Sequence, residues 1–130
     1  MSEGDELQWH FDQTDFVVSL AIQTADHGGY FEVFPRIRTA ENERYDDVSA
    51  ALAGTDEVVV TLPMVPGTLL VFVGRNSLHR VSQVGSGLAR HVGLLAYDTK
   101  AGTMGSALLR EVRYDRTEPL ATPPVIGAMT

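Results

Sequence analysis

Residues 57–97 hold short apolar runs with turn residues set closely between them, and this alternation limits the fold more than any other feature of the chain. Residues 57–62 are rich in β-branched side chains and run into the turn Pro63-Met64-Val65-Pro66-Gly67. Residues 68–73 form a strongly apolar run. Residues 78–84 follow, then Gly85-Ser86-Gly87, then another apolar run at 89–97. Upstream, residues 16–23 alternate: Phe16, Val18, Leu20 and Ile22 share one face, and Val17, Ser19, Ala21 and Gln23 the other. Asp26-His27-Gly28-Gly29 has turn chemistry, and residues 30–34 read as a strand stopped by Pro35. With residues 6–12, this gives seven candidate strands. Short strands separated by turn signals indicate an all-β sandwich or barrel.

One segment departs from the pattern. Residues 46–53 carry helix formers, with Asp46 and Asp47 at the front and Gly54 behind, which predicts one short helix outside the sheets. Residues 107–114 suit either a further strand or a short helix. Residues 115–130 read as an irregular tail of a single domain spanning 1–130. A chain of 130 residues, 44% hydrophobic and 21% charged, supports one core. Its net charge of −7 argues against nucleic acid or an anionic membrane as partner. It has no cysteine, which excludes disulfides and a thiol nucleophile and fits a cytoplasmic protein. No apolar run approaches the ~20 residues that span a bilayer, and the acidic start, Met1-Ser2-Glu3-Gly4-Asp5-Glu6, lacks a signal-peptide pattern.

Three residues stand out chemically. In an extended strand, residues two apart point to the same side, so His10 and Asp12 can aim at one point while Phe11 turns the other way. His79, from a distant strand, would complete a triangle of metal ligands. Two histidines and a carboxylate on one side of an octahedron, with open positions opposite, form the facial triad of non-haem Fe(II) oxygenases. Arg90 lies in an otherwise apolar stretch. A buried arginine needs an anion, supplied either by a ligand or by an internal carboxylate.

The order of motifs extends this reading. Trp9-His10-Phe11-Asp12 is followed by Gly28-Gly29-x-Phe31-Glu32, then Pro66-Gly67-Thr68-Leu69. Gly74-Arg75-x-x-x-His79-Arg80-Val81 comes next, and Arg90 lies eleven residues beyond His79. Over residues 4–98 the chain resembles the 2-oxoglutarate and Fe(II)-dependent oxygenases. Within them it is most similar to the bacterial branch of amino-acid hydroxylases and radical halogenases.

The resemblance implies a double-stranded β-helix, a cupin-like jelly roll of two sheets. It implies that His10, Asp12 and His79 hold Fe(II), and that Arg90 pairs with the distal carboxylate of 2-oxoglutarate, which its planar fork suits. The two oxygens of the keto acid and then O₂ would take the remaining metal positions. In halogenase relatives a small residue replaces the carboxylate and opens a site for halide. Asp12 retains it here, so the expected reaction is hydroxylation, or another oxidation, of a small polar substrate such as an amino acid. Some relatives carry a hydroxyl residue two positions after the arginine, where this chain has Val92. In relatives the first motif also lies deeper in a longer chain. The resemblance therefore implies a missing N-terminal part, an open sheet edge, and a homodimer or partner segment covering it.

Gln13, Glu32 and Asn76 lie near the matched motifs and are candidate substrate contacts, with solvent-facing or turn roles as the alternative. Trp9 is expected to pack, His27 to be solvated, and His91 to face away from Arg90 and Val92. Two other functions compete: a catalytically degenerate metal-binding jelly-roll module acting as a binding partner, and a cupin-like metal enzyme without 2-oxoglutarate. Such cupin sites are richer in histidine and need no arginine in the strand after the last ligand.

Overall fold

The computed structural model describes residues 1–55, 59–115 and 118. Two compact units divide the chain, Met1–Thr99 and Lys100–Thr130. Among its described residues the first unit holds seven strands: β1 (Leu7–His10), β2 (Phe16–Gln23), β3 (Phe31–Phe34), β4 (Val60–Leu62), β5 (Leu69–Phe72), β6 (Leu78–Val81) and β7 (His91–Tyr97). They form a four-stranded sheet in the order β1-β6-β3-β4 and a three-stranded sheet in the order β5-β2-β7. Every pairing between strands is antiparallel. The all-β, jelly-roll-like expectation holds. Part of the run expected at 57–62 lies outside the described residues, as does nearly all of the 115–130 tail.

One core lies between the sheets. Phe31, Val33 and Val81 from one sheet cluster with Ala21 from the other and with Met64, and Leu70 and Phe72 pack against them. Phe31 and Phe72 meet edge to face, with ring centroids 5.2 Å apart, a favoured aromatic geometry. Aliphatic side chains and the two rings share the space between the sheets, and the residues of β2 that enter it are small: Val17, Ser19 and Ala21 are buried.

The larger face of β2 points outward. Phe16, Leu20 and Ile22 are exposed, as are Leu69 and Val71 on β5 and Leu95 and Tyr97 on β7. The register places Val71 beside Val18, Leu69 beside Leu20, and Tyr97 beside Phe16, so these side chains form one apolar surface.

The four-stranded sheet is covered differently. Its outward Phe34 and Leu78 cluster with Ile37 and with Ala51 of helix α1 (Tyr45–Leu52), and Trp9, Phe11 and Val48 pack alongside. Asp46 and Asp47 occupy the first turn of α1, and Gly54 follows it in a left-handed conformation (φ 70°). Both are the end signals expected from the sequence.

In the second unit, residues 107–114 settle as helix rather than strand. This helix, α2 (Ala107–Tyr114), is capped by Ser106, whose hydroxyl accepts from the Leu109 N–H at 3.2 Å. No helix among the described residues is long and apolar enough to cross a membrane.

Candidate metal centre

His10 closes β1 and is paired with His79 of β6 across the ladder. Their rings lie 4.2 Å apart between centroids. The chain then leaves the strand, and Asp12 is drawn back by its N–H, which donates to the Gly74 carbonyl at 3.1 Å. Its carboxylate lies between the histidines: Oδ1 is 3.9 Å from His10 Nε2, and Oδ2 is 3.5 Å from His79 Nε2. The three side chains offer ligand atoms within 4.8 Å of one another. The i, i+2 spacing and the distant histidine thus meet at one point.

The outward ring nitrogens are already committed. His79 Nδ1 lies 2.8 Å from the Ser77 carbonyl, and His10 Nδ1 lies 2.7 Å from the Gln8 carbonyl. A carbonyl only accepts, so Nδ1 carries a proton in each ring and Nε2 is the nitrogen turned to the centre. Metal-binding histidines are commonly oriented this way. Burial holds the His79 imidazole below the ordinary histidine value. The neighbouring His10 adds to that effect, while the Ser77 carbonyl and Asp12 oppose it. The neutral, ligating form is thereby favoured. Two imidazoles and a carboxylate are the donor set of a 2-His-1-carboxylate site, and these residues fit a divalent metal such as Fe(II).

The surroundings include two rings and two glycines. Phe72 stands edge-on to His79 at 4.9 Å, and Phe31 lies 5.6 Å from it between ring centroids. A side chain on Gly74 would begin 2.0 Å from Asp12 Oδ2. Gly74 has no left-handed backbone, so its role is space for the carboxylate. Gly28 and Gly29 both have φ 65°. A Cβ on Gly28 would meet the Gln83 carbonyl oxygen at 2.0 Å, and one on Gly29 would crowd Arg90 Cδ at 3.2 Å.

Arg90 immediately precedes β7 rather than lying within it, and it is buried. Its backbone exchanges hydrogen bonds with Met1, at 2.8 and 2.9 Å. Its side chain reaches only the Met1 sulfur, at 3.9 Å, and no carboxylate among the described residues pairs with it. Burial pushes its guanidinium below the ordinary arginine value. It borders a cavity of about 370 Å³ whose other walls include Phe31, Gln23, Met64 and Val92. Phe31 therefore belongs both to this cavity and to the surroundings of His79.

The candidate substrate contacts are dispersed. Glu32 and Arg80 are cross-strand partners joined by a charged hydrogen bond, next to Trp9, over whose ring the Arg80 guanidinium lies at 4.8 Å. Glu32 follows Phe31 and precedes Val33, both of which face the core, so strand alternation turns it away from His79. Gln13 is exposed, and its carbonyl accepts from Arg75 at 2.6 Å. Asn76 sits in the turn before β6; its N–H donates to Val73 at 3.2 Å and its carbonyl accepts from Arg38 at 3.4 Å. Trp9 packs on Phe34, and His27 and His91 are exposed. Sequence reasoning passed over Gln8 and Ser77, which act through backbone carbonyls and leave no side-chain signal. It also passed over Gln23, a polar wall of the cavity, because a lone glutamine at a strand end carries none.

No curated protein matches the chain. The family model described as Halogenase D matches residues 1–113, most of the 130-residue sequence. The chain therefore belongs to the Halogenase D family.

Proposed function

We propose that this chain is an Fe(II)- and 2-oxoglutarate-dependent oxygenase that hydroxylates a small polar substrate such as an amino acid. The carrying observation is the convergence of His10, Asp12 and His79 with both histidine Nδ1 atoms held by backbone carbonyls. Membership of a halogenase family supports an enzyme of this general kind. Asp12 favours hydroxylation over halogenation, because a carboxylate occupies the position at which halide would bind.

Bound iron with 2-oxoglutarate and O₂ supplies the oxidant: the keto acid is oxidised to succinate and CO₂, and one oxygen atom enters a substrate C–H bond. The remaining roles belong to the protein. His10 and His79 present their Nε2 atoms, and Asp12 presents a carboxylate oxygen. Arg90, buried without a carboxylate partner among the described residues, receives the distal carboxylate of 2-oxoglutarate, and that anion offsets the cost of burying the cation. Phe31 and Phe72 exclude water from the inner side of His79.

The test is an anaerobic titration of Fe(II) and 2-oxoglutarate into the full chain. A weak visible charge-transfer band is expected, followed by succinate formation over a panel of amino acids, with and without chloride. Metal binding without the band would remove this reading and leave the metal-binding module. Chlorinated product would overturn the assignment of hydroxylation.

A further inference from the structure

Arg75 makes more polar contacts than a surface arginine at a turn requires. Its Nη2 donates to the Gln13 carbonyl at 2.6 Å. Its Nε lies 3.0 Å from Asp15 Oδ1, and Nη2 lies 3.7 Å from Asp98 Oδ2. Asp15 in turn accepts from the Thr99 N–H and hydroxyl, at 3.0 and 2.6 Å. One guanidinium thus gathers the segment after β1 and the segment after β7. Both the residue before it and the residue before Gln13 matter. Gly74 accepts the Asp12 N–H and leaves the space that the Asp12 carboxylate fills. Asp12 is the one ligand outside a strand, so no ladder holds it.

We propose that Arg75 is a positioning residue for the metal centre. It fixes residues 12–15 against Gly74, so that the Asp12 carboxylate stays within reach of both histidine Nε2 atoms. This rests on the reading of His10, Asp12 and His79 as a metal site. The residue type follows from the geometry. A planar fork can serve a carbonyl and two carboxylates at once, which a lysine ammonium on a flexible stem does poorly. An exposed ion pair alone stabilises little, so the observed number of contacts points to placement rather than to bulk stability.

The test uses the full chain and two readouts. Co(II) serves as a metal probe with visible absorption bands, and amide hydrogen exchange of the Asp12 N–H is followed in the metal-free protein. In Arg75→Met, Co(II) affinity is expected to fall roughly 10- to 100-fold, as for other groups that orient metal ligands, with a changed absorption spectrum. The Asp12 amide is expected to exchange about tenfold faster while the amides of β2 and β3 stay protected, a local opening of about 1.4 kcal/mol. Arg75→Lys should recover only part of either change, and Asp15→Asn, which removes one partner, should shift both in the same direction. Unchanged Co(II) affinity and spectrum in a folded Arg75→Met would overturn the proposal, as would unchanged Asp12 exchange. If the wild-type chain takes no Co(II), the metal reading fails by itself, and the exchange experiment still decides whether Arg75 holds Asp12.

Discussion

A Cβ placed on Gly74 would lie 2.0 Å from Oδ2 of Asp12, 2.8 Å from its Cβ and 2.8 Å from its Cγ. No atom pair tolerates that approach, so the carboxylate can occupy its position only while residue 74 lacks a side chain. Gly74→Ala should leave the sheets intact and displace Asp12 from the histidines. The expected result is a loss of Fe(II) or Co(II) affinity of at least about tenfold, comparable to losing a group that orients a ligand, with far-UV circular dichroism unchanged. Wild-type affinity in the alanine variant would show that Asp12 is not held where the metal binds.

On the proposed reading, Asp12 separates two outcomes of one chemistry. Asp12→Gly removes the carboxylate ligand and should abolish hydroxylation, measured as product formed over the best substrate of the panel. Added chloride then becomes informative, because the freed position is the one a halide would take. Full hydroxylation by Asp12→Gly would remove Asp12 from the ligand set.

Arg90 should behave as a residue kept against the interests of stability. It is buried, its cation is disfavoured by desolvation, and no carboxylate among the described residues answers it. Arg90→Met should therefore leave the ligand-free protein as stable as before, or more stable by about 1 kcal/mol, since removing a buried charge is often neutral or favourable. The same change should eliminate 2-oxoglutarate binding. Thermal melts with and without 2-oxoglutarate check both halves, and a large fall in the ligand-free melting temperature would count against the reading.

The position of His79 also predicts a pH dependence. In the unfolded chain its imidazole takes a proton near the ordinary value of 6.5, whereas in the folded chain burial holds it lower. Between those two values the unfolded state binds more protons, so stability falls as pH drops below about 6.5 and levels off beneath the folded value. Urea midpoints of the metal-free protein at several pH values from 7.5 to 4.5 should show this decline. His79→Gln should flatten it, and an unchanged slope would place the titration elsewhere.

Much of this arrangement was legible in the chain because strand geometry has a period of two. That period placed His10 beside Asp12 and set the limits of β2 at Phe16 and Gln23 as observed. It could not say which face of β2 points inward. The more apolar face would have been the natural choice, yet Val17, Ser19 and Ala21 face the core, where Phe31, Val33, Val81 and Phe72 supply the larger side chains. Glu32 was a candidate contact because it lies in a matched motif, but its position is set by a cross-strand arginine, and that pairing depends on register rather than on local sequence. Gly74 was visible as part of a motif. That its role is room for a carboxylate, rather than backbone freedom, is a tertiary fact.

The outer face of the β5-β2-β7 sheet predicts self-association. Leu20, Ile22, Leu69, Val71, Leu95 and Tyr97 are 42–61% exposed and together present on the order of several hundred Å² of apolar surface, more than scattered exposed residues would. The expected interface is this face, not a sheet edge. Sedimentation at rising concentration should show species larger than the monomer. Leu20→Lys combined with Leu69→Lys should reduce them with little change in melting temperature, because neither side chain belongs to the buried core. A monomeric wild-type chain at high concentration would remove the prediction.

β1 has four residues, stands at the edge of its sheet and, among the described residues, pairs with β6 alone. His10 is its last residue and Asp12 lies just beyond, so two of the three candidate ligands hang on an edge strand with a single neighbour. The ladder partner His79 is 69 positions away, and closing so long a loop is among the more costly contacts for a folding chain. Opening of β1 should therefore precede global unfolding and release the metal while the rest of the two sheets stays closed. On the proposed metal reading, fraying of one short strand sets the lifetime of the loaded centre, and bound metal would act as a latch on that strand.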